Sequence, residues 1–264
     1  MSKLPKPFSG LPPPEVPLPR APLVRVIGQV MFSHVLGVLD PAKLAPFQER
    51  LSVDYPILDQ ENVPRIAIAP GNPPSVHQET IWRLQDIEKH WRVSLAPTFV
   101  ALETPHYTRR TDFLARFGAV IESLEATLKP QLALRVGLRY ISRVEGPALE
   151  KLGKLVRPEF VGPVGTAFGA AAQHLLTETL IATEEAMLLA RWGKLPANTT
   201  IDPQAIEPAA TDSWIHDLDL FKEQALPFDK VQLVSLLEAL AKRQYAVFRY
   251  MVTSDYLKHY GGKP

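Results

Sequence analysis

Hydrophobic residues alternate with polar ones from Leu23 to Val35, and Val24, Val26, Gly28, Val30 and Phe32 share one side of a segment rich in β-branched residues, the signature of a strand. Leu44, Phe47, Leu51 and Tyr55 then recur at helical spacing, and Pro56 ends the short amphipathic helix they predict. Strands are expected at Thr80–Ile87 and Trp91–Glu103, paired as a hairpin; the second alternates through Trp91, Val93 and Leu95 before Pro97-Thr98 bends the chain. Phe113, Phe117, Val120, Ile121, Leu124 and Leu128 mark a helix with Asp112 as its N-cap and Pro130 as its stop. Alternation returns from Leu132 to Val144.

Residues 23–144 therefore read β-α-β-β-α-β, the order of a ferredoxin-like split βαβ unit, with a proline-rich loop inserted near Pro64–Pro74. Past Gly146 the pattern predicts a short helix at Ala148–Leu155 and strands at Gln173–Ile181, Ala186–Trp192 and Trp214–Phe221. A long helix follows from Lys230 to about Met251, opened by Asp229 and Gln232 in a capping-box arrangement, and Thr253 or Ser254 caps a last short helix. The expected fold class is α+β on an antiparallel sheet. Its organisation is a proline-rich arm (1–22), a ferredoxin-like half (23–146) and a β-rich half with a long C-terminal helix (147–264), the two halves being either separate or one continuous unit.

Apolar residues make up 46% of the chain and charged residues 22%, ordinary globular usage. Lys and Arg number 29 against 28 Asp and Glu, so no global field draws the protein to nucleic acid or an anionic membrane. With no Cys, disulfides, thiolate nucleophiles and cysteine-ligated metals are excluded. The N-terminus lacks the apolar stretch of a signal peptide and holds eight prolines in its first 22 residues, so an extended arm is expected, docked or disordered, in a soluble cytoplasmic protein with no membrane contact. Phe160–Thr177 carries no Asp, Glu, Lys or Arg, but polar Gln173 and His174 and the breaks at Gly162, Pro163, Gly165 and Gly169 suit a flexible connection and not a bilayer span.

The strings PLPRAPLVRVIGQVMF (Pro17–Phe32), RVGLRYISRV (Arg135–Val144), WIHDLDLF (Trp214–Phe221) and FRYMVTSDYLKHYG (Phe248–Gly261) together resemble a sporadically distributed bacterial protein family of similar length. The resemblance covers nearly the whole chain and implies no assigned activity; Ser142 stands where the family pattern has Asn.

Candidate chemistry concentrates on two strands. Arg135, Arg139 and Arg143 fall on one strand face, where three guanidinium groups can clamp phosphates, carboxylates or a partner, or else pair with acidic residues of neighbouring strands. Asp217 and Asp219 share a face while His216 points oppositely, a pair able to hold hydrated Mg²⁺ or to partner those arginines. The seven histidines show no metal-binding spacing and read mostly as surface or loop residues, no glycine loop fits a phosphate-binding motif, and no Gly-x-Ser-x-Gly elbow occurs.

The leading expectation is an intracellular, non-catalytic accessory or adaptor subunit that binds a protein or peptide, with no cofactor. One alternative is RNA or other nucleic-acid binding by the arginine-lined sheet; another is a Mg²⁺-dependent hydrolase working through Asp217 and Asp219. Exposed strand edges also suggest a homo-oligomer.

Overall fold

Alternation and helical spacing translate into elements as follows in the computed structural model, which describes residues 7–67 and 75–264. Strand β1 (Leu23–Phe32) leads into α1 (Pro41–Leu51), whose N-cap Asp40 accepts from the Ala42 N–H at 3.0 Å. Next come β2 (Ile57–Ala67), β3 (Ser75–Gln85), β4 (Arg92–Ala96), β5 (Phe99–Thr104), α2 (Arg110–Thr127) and β6 (Leu132–Glu145). Short helices α3 (Leu152–Leu155), α4 (Pro158–Val161) and α5 (Ala167–Ala171) precede β7 (Leu175–Ala182), β8 (Met187–Leu195) and β9 (Ser213–Pro227). The chain closes with α6 (Lys230–Met251) and α7 (Ser254–His259). The nine strands form one open antiparallel sheet in the order β2-β3-β4-β5-β1-β6-β9-β8-β7. No helix among the described residues is long and apolar enough to cross a membrane.

Several elements depart from the sequence expectation for identifiable reasons. Pro64 lies inside β2 instead of a loop; β2 is the terminal strand of the sheet, where a residue without an N–H is tolerated. The remainder of the expected Pro64–Pro74 loop falls at 65–74, of which 68–74 lie outside the described residues. The strand expected over Trp91–Glu103 is two strands, because Pro97-Thr98 turns the chain fully and sets Ala96 opposite Phe99. Helix α2 starts at Arg110 with Arg109 as its cap residue, which leaves Asp112 in the first turn, where a carboxylate complements the helix dipole. The segment read as a flexible connection holds the end of α4, all of α5 and the start of β7, and Phe160 packs edge-on against Trp192 and Tyr250.

The chain divides into two compact units. One comprises Ile27–Val136 and Glu223–Leu237, with a core that includes Val30, Phe32, Leu84, Val93, Leu102, Phe117 and Ile121. One close joint in it is at Gly28 on β1: a Cβ there would stand 2.8 Å from the Phe117 ring and 3.0 Å from that of Phe113. Glycine on the strand is what lets the two rings of α2 lie directly on the backbone.

The other unit comprises the described residues up to Val26, Gly137–Lys222 and Glu238–Pro264. Trp214, His216, Leu218 and Leu220 of β9 are buried on one strand face, and α6 lies over it, with Gln244 Nε2 donating to the Leu218 carbonyl. The arm is docked in this unit. Its Val16 N–H donates to the Tyr245 hydroxyl at 2.7 Å, the Gly10 carbonyl accepts from Arg243 Nη2 at 3.1 Å, and Arg20 donates to the Tyr260 and His259 carbonyls at 3.2 and 2.8 Å.

Replacing Gly28 by Val is expected to destabilise the protein by about 1–3 kcal/mol, the usual range for overpacking. A shift of the urea midpoint to lower concentration with an unchanged slope checks this; an unchanged midpoint contradicts the joint.

Candidate functional site

The sharpest polar feature is a row of alternating charge that crosses four strands of one unit. In register, Glu178 of β7 faces Arg191 of β8, and Arg191 faces Asp217 of β9. Arg191 Nε donates to Glu178 Oε2 at 2.7 Å and its Nη1 to Asp217 Oδ2 at 3.2 Å. From β6, Arg139 grips Asp217 with a bidentate fork, Nε to Oδ1 and Nη2 to Oδ2, both at 2.8 Å. The remaining arm of that guanidinium, Nη1, donates to Asp202 Oδ2 at 2.7 Å. Asp202 belongs to the β8–β9 connection and is fixed there by its own turn: its carboxylate accepts from the Gln204 N–H and its carbonyl from those of Ala205 and Ile206.

Electrostatics follow from this packing. Burial disfavours the charge on Arg139, but the bonds to Asp217 and Asp202 outweigh it and raise the guanidinium pKa above its ordinary value. Burial likewise works against the Asp202 carboxylate, and Arg139 overrides it, so that pKa is lowered. Both oxygens of Asp217, a side chain only 2% exposed, are therefore occupied by guanidinium donors.

The other sequence candidates sit as follows. Arg135 lies in the other unit, where its Nη1 donates to Gln29 Oε1 at 3.2 Å. Arg143 donates through Nη2 to the Glu207 carbonyl; burial lowers its pKa in spite of the nearby Glu145 and Glu207 carboxylates. Asp219 shares the Asp217 face, opposite Leu189, and has an interaction of its own. Among the described residues no group of three or more His, Asp or Glu side chains is arranged to hold a metal ion.

Sequence reasoning missed two histidine placements. His216, one of seven histidines read mostly as surface or loop residues and placed on the strand face opposite Asp217, is 2% exposed, with its ring centroid 5.5 Å from Trp214, 5.7 Å from Phe248 and 6.3 Å from Tyr256. The signal was present in its even spacing with Trp214, Leu218 and Leu220, which puts it on the apolar side of β9. His90 and His106 stack with centroids 3.6 Å apart; they come from the β3–β4 and β5–α2 connections, so no local spacing could reveal them.

A scan against models of protein families finds no match to this chain, and neither does a search of curated proteins.

Burial depresses the His216 pKa from 6.5 to about 4. A base with a lowered folded-state pKa stabilises the fold fully above 6.5 and loses that contribution as pH falls toward 4, because the unfolded chain takes up the proton first. Urea unfolding across this window should show a loss of up to about 3 kcal/mol attributable to this residue. In His216→Phe that part of the slope should vanish; an identical pH profile in the variant would contradict the assignment.

Proposed function

We propose that the protein is a non-catalytic accessory or adaptor subunit that binds another protein or peptide through the outer edge of its proline-rich arm. The observation that carries this reading is the exposure pattern of the docked arm. Leu11, Pro14, Glu15, Pro17, Pro19 and Arg20 are exposed, while Pro12, Pro13, Val16 and Leu18 are half-buried. Half-buried positions interspersed with exposed ones are what an extended, proline-rich segment shows when one side lies on its support and the other is offered to a partner. Leu11 is 96% exposed, an apolar side chain held out from an anchored backbone.

Such a ridge suits a partner with an aromatic-lined groove, since the arm's conformation is set before binding and little ordering entropy remains to be lost. The guanidinium groups of Arg135, Arg139 and Arg143 all have acceptors within the chain, which weighs against a nucleic-acid surface on β6. The two Arg partners of Asp217 weigh in the same way against a hydrolase built on that carboxylate.

Two further readings accompany this one. The sheet order β6-β1-β5-β4, with α1 and α2 as connections, supports reading residues 23–146 as a ferredoxin-like unit carrying an inserted β2–β3 hairpin. We read the protein as cytoplasmic; with no cysteine, its fold needs no oxidising compartment.

The test places a photo-crosslinking amino acid at Leu11 in the native host, with the same residue at Val53, 92% exposed, as control. The expected result is a covalent adduct with one defined protein at Leu11 and none at Val53, and loss of the complex on Pro14→Ala/Pro17→Ala. Equal labelling at both positions, or no adduct at Leu11, overturns the reading.

A further inference from the structure

The row of alternating charge stops at the edge of the sheet. Strand β7 is the last in the sheet order, so its side turned away from β8 has no neighbouring strand among the described residues. A terminal strand offers a row of backbone donors and acceptors, and natural edges are commonly blunted with proline, lysine or other charges. The opposite terminal strand, β2, carries Pro64, Asp59, Glu61 and Arg65 in its sequence. In contrast β7, LLTETLIA, contains no proline and no cation, and its one charge is Glu178.

The face of β7 that carries Glu178 is equally open. Leu176 and Leu180 flank it on the same face, in register with Gly193 and Leu189, and they are 39% and 59% exposed. Charges run strand by strand as Arg139, Asp217, Arg191, Glu178, and the last side chain is 58% exposed. One more strand laid on this edge meets that pattern best with a cation opposite Glu178 and apolar residues two positions to either side.

We propose that the β7 edge is a strand-addition site for an extended segment of another protein with the alternation apolar-x-Arg/Lys-x-apolar. Main-chain hydrogen bonds along β7 supply affinity, and Glu178 with Leu176 and Leu180 supplies the selection. A second copy of this chain fits less well: β7 has no Arg or Lys, so an antiparallel copy brings no cation to Glu178. The site is separate from the arm, and Leu11 plays no part in it.

Two short synthetic strand peptides test the proposal, each with valines flanking a central residue between threonines, the centre being Arg in one and Glu in the other. Fluorescence anisotropy with the full chain is expected to favour the Arg peptide by about tenfold, with the margin shrinking as salt rises. Glu178→Lys should reverse the preference, Leu180→Asp should weaken both peptides, and Leu11→Ala should leave both unchanged, which separates this site from the arm. Circular dichroism verifies that the variants keep the wild-type fold. Equal affinity for the two peptides, no binding of either, or no reversal in Glu178→Lys overturns the proposal. So does a concentration-dependent dimer in light scattering that Leu180→Asp dissolves, since the edge is then occupied by the chain itself.

Discussion

Asp217 is a carboxylate 2% exposed on an interior strand of the sheet, and an unpaired charge at such a depth is untenable. Its two oxygens are satisfied by Arg139 from one neighbouring strand and Arg191 from the other, so the demand of a single buried charge fixes β6, β9 and β8 against each other. Arginine suits this task because its planar fork serves Asp217 through two nitrogens and still has a third for Asp202. That third bond ties the β8–β9 connection to the same point. The opposite side of β9 carries a second constraint of the same kind: His216, buried among aromatic rings, is accommodated in its neutral form.

This arrangement redirects the search for function. Charges that looked, one by one, like ligands for phosphate or metal are partners of one another, and a buried ion pair of this type says more about register than about binding. What stays available lies at the periphery of the unit: an arm moored by Tyr245, Arg243 and the backbone of α7, and a terminal strand whose outward groups carry the charge pattern of the interior to its end. Both present extended backbone, and both gain from being held in shape before a partner arrives.

Local pattern reached most of the elements. The twofold alternation of β1 and β6, the apolar faces of α2 and α6, and the Asp229 cap, which accepts from the Gln232 N–H at 2.8 Å, were readable because each is decided by residues close in sequence. Pro64 misled because proline marks a loop in most contexts, and only its position on a terminal strand makes it acceptable. The polar row was half legible: alternation put Arg139 on one strand face and Asp217 on another. Pairing of the arginines with these aspartates was one of the readings open to the sequence; that β6 and β9 are neighbours, and that Asp202 joins from a connection without regular structure, depends on a strand order that no local signal encodes. The arm's mooring was equally hidden, since its partners stand more than 200 residues away.

A double-mutant cycle on Arg139 and Asp217 measures the central constraint most directly. Urea unfolding of Arg139→Met, Asp217→Leu and the combined variant should give each single change a loss of about 3–5 kcal/mol and a coupling energy of about 2 kcal/mol or more, because the double change leaves neither member stranded. Additive losses, or single variants as stable as the parent, would contradict the view that this ion pair organises the sheet.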